Sequence, residues 1–334
     1  SREDRSYQSR FCLMQAGHYG SPQHRVRFFI VASRRGVPLP DIPQPTHDFT
    51  TVAKQHEKLT VTLSKDAGTI IRPIITAKGI APFRAVTVAD AIDDLKRFHW
   101  SEFAPWPQPT LQLINLYRRH PKRPSPNDGA PVVACNSHSF WGYEGGDRYE
   151  HVESTSYQRN ARCKPSKNLQ HFTRRLPQQN VERVLAIPLG GDSRTAAADT
   201  QQAGGARGGK DKTTYLVFAV YYGRLHRDGF FPTITTNIGP TAKQGRVLHY
   251  SCSRIITVRE LARAQGFPDW FIFERLVEDD ILTIHRQIGN AVPLPLGRAL
   301  GRELRRAAIA YWKEEEERKR ANTVDLTREN DWDS

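Results

Sequence analysis

Residues 16–34 read AGHYGSPQHRVRFFIVASR, and within them Phe28 to Ala32 (FFIVA) form an unbroken apolar run. Such a run predicts a strand buried on both faces in a parallel sheet. Residues 11–33 together predict a turn-linked pair of strands. At the head of the apolar run stand Gln23, Arg25 and Arg27. A strand's two-residue period puts all three on one side. Arginines at a strand end that feeds a cleft can hold a phosphate or a base carbonyl oxygen. A surface pair of salt-bridged arginines is the plainer alternative for this segment alone.

Outward from this strand the chain changes character several times. A proline-rich loop, VPLPDIPQPTH, follows at residues 37–47. Short strands are expected near 59–63 and 69–75. Residues 86–95 (VTVADAIDDL) lead into a short helix that Thr87 caps. Residues 101–250 are rich in Pro, Asn, Gln, His and aromatics, with poor periodicity, so they read as an irregular, loop-rich insertion. Within it, residues 196–212 carry too few apolar groups to order themselves. Residues 215–225 (YLVFAVYYGRL) are apolar enough for one strand or two.

Regular structure is expected again near Thr257. The run TVRE is a capping box, with the Thr257 hydroxyl on the helix backbone and Glu260 reaching back. That helix should end near Gln265, stopped by Gly266 and Pro268. A last helix is expected from about Pro295, where Leu296, Leu300, Leu304 and Ala307 make one apolar stripe. The charge run KEEEERKR (313–320) and the polar end read as a solvated, disordered tail.

Composition narrows the partner. The 334 residues carry a formal net charge of +14. Residues 101–250 contribute 20 Lys and Arg against 11 Asp and Glu. A surplus of this size favours polyanions, and nucleic acid is the default. Cys12, Cys135, Cys163 and Cys252 have no CxxC spacing, so neither a zinc site nor a disulfide framework follows, and reduced thiols are expected. No apolar run is long enough to span a bilayer. The sequence begins at Ser1 and its one methionine is Met14, which is the expectation for a fragment.

Three further motifs each have a plainer alternative. QIGNAVPLPLG (287–297) could present backbone N–H groups and the Asn290 amide to a small ligand, or could be an ordinary entry into a helix. KQGRVLH (243–249) sets Lys243 and Gln244 beside a flexible Gly, which suits base edges in the major groove, or is simply a polar loop. GGARGG (204–209) neither follows a strand nor opens a helix and is no phosphate loop.

Their order along the chain is more telling than any one of them. AGHYGSPQHRVRFFIVASR resembles the eighth conserved motif of DNA cytosine-5 methyltransferases, TVRELARAQGFPD (257–269) the ninth, and RQIGNAVPLPLGRALG (286–301) the tenth. The family carries its variable target-recognition domain between the eighth and ninth, where the basic insertion lies. LPDIPQPTHDF, APFRAVTVADAIDDL, residues 174–192 and residues 221–249 are similar to the eukaryotic maintenance-type enzymes. The resemblance covers roughly residues 7–310, with gaps near 55–75, 120–155 and 195–213.

The resemblance implies a fold, a ligand set and a partner. The fold is α/β, a partial S-adenosylmethionine-dependent, Rossmann-like core interrupted by a target-recognition domain. Its expected divisions are core at 1–100, recognition at 101–250, returning core at 251–312 and the tail at 313–334. Arg25 and Arg27 would lie beside a flipped cytosine, Arg27 at its O2. Asn290 and Val292 would contact the methionine part of S-adenosylmethionine. Lys243 and Gln244 would read the guanine of CpG. Phe218 and Tyr221 would shape an apolar pocket for the parental-strand methyl group, although they depart from the family's Trp and Leu. Double-stranded CpG DNA, hemimethylated in the maintenance case, is the implied substrate, and the nucleus the implied compartment.

The family's chemistry also names what these residues lack. A thiolate attacks C6 so that electron density builds at C5 and can take the methyl group, after the base has left the stack. That needs a Pro-Cys nucleophile loop, a Glu-Asn-Val strand for the acid and a glycine-rich cofactor turn. No cysteine in this sequence follows a proline. The resemblance therefore puts the nucleophile and the acid upstream of the eighth motif, in a half supplied in cis or in trans. A split enzyme and a non-catalytic DNA-binding protein are the competing expectations.

Overall fold

The computed structural model describes residues 6–49, 61–62, 70–74, 79–100, 129–133, 140–145, 149–186, 189, 223–240, 246–275 and 280–329. The longer strands are β1 (Tyr7–Gln15), β2 (Val26–Arg34), β3 (Phe140–Tyr143) and β4 (His171–Arg174). The helices are α1 (Val88–Ile92), α2 (Ser156–Ala161), α3 (Gln178–Ala186), α4 (Val258–Ala264), α5 (Ile281–Asn290) and α6 (Leu294–Glu329). The chain divides into two compact units. One comprises Ser1–Gly20, Val26–Ala85 and Pro295–Ser334, the other Ser21–Arg25 and Val86–Leu294.

In the first unit β1 and β2 pair antiparallel, from Tyr7 opposite Arg34 to Gln15 opposite Val26. Pro73–Ile74 adds a short parallel segment to the other side of β1. The connection between β1 and β2 begins with a 3-10 turn, Ala16–Tyr19, closed by Gly20 at φ 91°. A side chain would be strained there. Cys12, Met14, Ala16, Tyr19 and Leu296 form the buried core, with Phe29, Ile42, Ile74, Ala299 and Leu300 packed on it.

The turn-linked strand pair is therefore present, but β2 differs from the expectation. It is not buried on both faces, and its long partner is antiparallel. Burial alternates along it, and Phe28 and Ile30 lie exposed, Ile30 at 61%. Phe28 stacks on the exposed Phe11 of β1, with ring centroids 6.1 Å apart. The apolar run reads as doubly buried because both of its faces are apolar. Among the described residues only one face is covered.

The second unit has the larger core. Helix α1 carries the expected Thr87 cap, here as a full capping box, with the Thr87 hydroxyl accepting from Asp90 N and the Asp90 carboxylate from Thr87 N. Helix α2 carries another, Thr155 with Gln158, which the sequence reading passed over. Strands β3 and β4 pair antiparallel. Trp141 of β3 stacks on Trp100 at 5.0 Å, and Trp100 Nε1 donates to Thr173 Oγ1 at 3.0 Å. Trp141, Phe172, Leu176 and Val181 share one apolar cluster with Leu261, Ile284 and Ile288. The described part of 101–250 thus packs on the segment around Thr257 and is more regular than its composition indicates. Residues 196–212 and 215–222 lie outside the described residues; Gly223–Arg224 pairs parallel with Arg246–Leu248.

The last helix starts where expected and runs much further. It continues through the charge run to Glu329, so the tail beginning at 313 is helical to that point. Ala, Glu, Lys and Arg are good helix formers, and pairs three residues apart support the exposed turns, Arg306 with Glu303 and Arg318 with Glu315. The expected apolar stripe is buried only at its start: Leu296 is covered, whereas Leu304 is 54% exposed.

Candidate functional site

Gln23 and Arg25 enter the second unit just before β2 begins. Gln23 Nε2 donates to Gln265 Oε1 at 2.9 Å and to Ala264 O at 3.1 Å, and its Oε1 accepts from Ile234 N at 3.1 Å. Ser21 Oγ donates to the same Ala264 carbonyl. Arg25 is buried, and its two terminal nitrogens donate to Ile234 O and Gly289 O, each at 2.8 Å. The guanidinium fork thereby ties the 234 loop to the end of α5.

The turn after α5 is held from the same side. Gln265 Nε2 donates to Ile288 O at 2.7 Å, and Leu294 N donates to Gln265 O at 2.8 Å. Gly289 is required by a close approach: a Cβ there would stand 2.6 Å from the Thr235 carbonyl. Asn290 is the last residue of α5 and is exposed, and Val292 is 45% exposed. The side chain of Asn290 has no hydrogen-bond partner among the described residues. Of the N–H groups that a helix start could present, one is not free. The Leu294 N–H is already bound, and the open groups are the Asn290 amide and the Val292 side chain.

Arg27 belongs to the first unit, on β2. It is half-buried, and its Nη1 donates to the neighbouring Val26 O at 2.7 Å. No carboxylate pairs with it among the described residues. Burial pulls its pKa down from the ordinary arginine value, without bringing deprotonation near neutral pH. Arg27 is thus a desolvated cation whose remaining donors can serve a ligand. Lys243, Gln244, Phe218 and Tyr221 lie outside the described residues.

Beneath the turn lies a group of buried charges that sequence reasoning missed. All of α4 is buried, including Arg259, Glu260 and Arg263. Arg254 grips Glu260 bidentately at 2.7 and 2.8 Å and covers the Phe98 ring at 4.3 Å. Arg263 holds Asp269 through Nε at 2.9 Å and Nη2 at 2.6 Å, and also holds Asp94. Arg259 has carbonyls only, those of Leu169, Pro268 and Phe271, and burial lowers its pKa to about 10. Burial alone would raise Glu260, but the charge and hydrogen bonds of Arg254, together with the neighbouring His249 and His171, outweigh it and hold the carboxylate far below its usual range. His171 is driven down to about 4, chiefly by burial, with its ring between Lys96 O and Thr257 Oγ1. His285 is driven down to about 3, again mainly by burial. One signal could have exposed this layer. Arg259 and Arg263 stand four apart in a short helix that also carries Leu261, Ala262 and Ala264, too apolar to leave a free polar face.

This arrangement binds nothing by itself; it fixes a turn and a strand head. In class the chain is a mixed α/β protein. A comparison with known families makes that specific: a model of C-5 cytosine-specific DNA methylases matches residues 2–306. The chain belongs to that family. Among curated proteins it is similar to DNA (cytosine-5)-methyltransferase 1 of Rattus norvegicus, 31% identical over 339 residues, which is 92% of this chain and 19% of the relative. It is also similar to DNA (cytosine-5)-methyltransferase 1A of Oryza sativa subsp. japonica, 32% identical over 317 residues, 91% of this chain and 17% of the relative. The Gallus gallus methyltransferase 1 is 32% identical over 334 residues, 92% of this chain and 20% of that protein. The chain thus spans about a fifth of the length of these relatives. Among the described residues no helix is long and apolar enough to cross a membrane.

Proposed function

We propose that this chain is the C-terminal portion of a nuclear, maintenance-type DNA cytosine-5 methyltransferase. It would help transfer a methyl group from S-adenosylmethionine to C5 of cytosine in CpG DNA, preferring hemimethylated duplex. The nucleophilic cysteine and the acid glutamate lie outside these 334 residues. The observation that carries this reading is the shared lattice of the three motifs. Gln23 and Arg25 of the eighth, Gln265 of the ninth and Gly289 of the tenth are joined by direct hydrogen bonds.

In this reading Arg25 is a positioning residue, since its terminal nitrogens are committed to two carbonyls. Arg27 supplies the donor to the cytosine O2 and keeps its charge while half-buried. S-adenosylmethionine, when bound, supplies an electrophilic methyl group on its sulfonium. The tenth-motif turn fits it: the open Asn290 amide suits the amino-acid end and the exposed Val292 the apolar chain. Gln265 and Leu294 fix the turn that presents them. Residues 101–250 form the target-recognition domain, with Lys243 and Gln244 on the guanine and Phe218 and Tyr221 around the parental methyl group. The exposed apolar face of Phe11, Phe28 and Ile30 supports a covering half in cis or in trans. An uncovered sheet face of this kind invites association.

The test is a pair of binding measurements on the purified chain. Fluorescence anisotropy with a hemimethylated CpG duplex should show affinity that falls steeply with salt. Lys243→Ala with Gln244→Ala should erase the preference for CpG over a scrambled site. Calorimetry should show S-adenosylmethionine binding that Asn290→Ala weakens. DNA binding with no cofactor binding at all would instead favour a non-catalytic DNA-binding protein.

A further inference from the structure

Helix α6 carries a second recognition surface, on the side away from its buried start. Arg305, Ile309, Trp312 and Glu316 follow one another at four-, three- and four-residue steps. That spacing places them on one face of a helix, as in the seam of a coiled coil. All four are exposed, Ile309 at 37% and Trp312 at 64%. Leu304 flanks the stripe and is more than half exposed. Neither Arg305 nor Glu316 has an ion-pair partner among the described residues. The neighbouring charges behave differently, since Arg306 is taken by Glu303 and Arg318 by Glu315 within the helix. A bare tryptophan beside an isoleucine on a helix face is a feature that needs a cover.

We propose that this stripe is a self-association surface, and that its partner is the same helix of a second copy, running antiparallel. The charge order dictates both choices. In an antiparallel pair, Ile309 of each copy meets Trp312 of the other, and Arg305 of each copy meets Glu316 of the other. Every contact occurs twice, as a twofold interface requires. A parallel pair would set Arg305 against Arg305 and Glu316 against Glu316, which repel. The stripe is therefore complementary to its own reversed copy, a property that a surface shaped for an unrelated partner need not have. The Trp312 ring also lies within reach of the opposing Arg305, adding a cation–π contact. A seam of two apolar layers closed by two exposed ion pairs is well short of a standard interface. Association on the order of tens of micromolar is expected, weakening as salt screens the end pairs.

The test is sedimentation velocity of the whole chain over a range of concentration, in low and high salt. The chain as it stands should show a monomer–dimer equilibrium. Arg305→Glu places like charges at both ends of the seam, and Glu316→Arg does the same with opposite sign. Each variant alone should dimerise about tenfold more weakly, a change that corresponds to roughly 1.4 kcal/mol. An equal mixture of the two restores Arg–Glu at both ends and should recover the dimer. Trp312→Ala should abolish it. All four positions are exposed, so thermal unfolding of the monomers should be unchanged, which separates lost contact from lost fold. A chain that stays monomeric throughout overturns the proposal. So does a dimer that neither reversal weakens, which would point to the exposed β1–β2 face, or a mixture that fails to recover.

Discussion

Helices α4 and α6 draw on the same charged residues and use them in opposite ways. In α4 every charge is buried and fully bound: Arg259 by carbonyls, Glu260 by Arg254, Arg263 by Asp269 and Asp94. In α6 the arginines are exposed, and those that are paired use half-buried glutamates one turn away, Glu303 and Glu315. The difference teaches where each charge earns its place. A solvated pair gains little because water already stabilises both ions. A buried charge has lost its water, so its partner must be present, and its geometry then fixes several segments at once. Arg263 joins α4 to the loop at Asp269 and to Asp94 after α1. Gln265, which follows Arg263 and Ala264, holds the turn after α5.

The sharpest break of this comparison is Arg263→Ala. It leaves the buried Asp269 without its ion-pair partner and Asp94 with only Arg162, 3.5 Å away, and should cost about 3–5 kcal/mol, read as a large drop in melting temperature. Gly289→Ala comes next. A Cβ 2.6 Å from the Thr235 carbonyl forces apart the loop and helix that Arg25 joins, with a loss of about 1–3 kcal/mol by denaturant titration. Thr257→Ala removes one hydroxyl from the α4 cap, where it accepts from Glu260 N at 3.1 Å, and should cost about 1 kcal/mol. At the far end, Glu303→Gln in α6 should shift stability by less than about 1 kcal/mol. Equal losses at Arg263 and Glu303 would erase the distinction between the two helices.

Acid sharpens the same contrast. His171 and His285 are held at about 4 and about 3 in the folded chain, against an ordinary 6.5. The unfolded chain therefore takes up these protons first. Their contribution to stability is complete above pH 6.5 and is lost as pH falls below it towards 4. Glu260, held below its ordinary 4.5, adds a further loss from that point downward. The melting temperature should thus begin to fall between pH 7 and 5, before carboxylates titrate. A flat profile across that interval would contradict the buried, neutral state of the two histidines.

Much of the frame was legible in the residues. The Thr87 cap, the capping box at Thr257 and the start of the last helix depend on neighbours a few positions away, and local chemistry decides them. The Gln-x-Arg-x-Arg run was legible as a candidate, but not how its members divide. Arg25 is spent on the carbonyls of Ile234 and Gly289, residues more than two hundred positions away, and no local pattern encodes that distance. β2 misled because apolar character on both faces states what a strand can bury, not what covers it. The end of α6 misled in the other direction: a solvated run of charges resembles a disordered tail, yet each residue in it favours a helix. The buried arginines of α4 were hidden because their partners, Asp94, Leu169 and Phe271, are scattered along the chain.

The most direct test is methyl transfer from labelled S-adenosylmethionine to a hemimethylated CpG duplex, using residues 1–334 purified alone and again after addition of a separately made half carrying the Pro-Cys and Glu-Asn-Val segments of the family. The expected result is no transfer by the chain alone, with transfer on mixing that Arg27→Ala reduces at least tenfold. Methyl transfer by the 334 residues unaided would contradict the placement of the reacting thiol outside them.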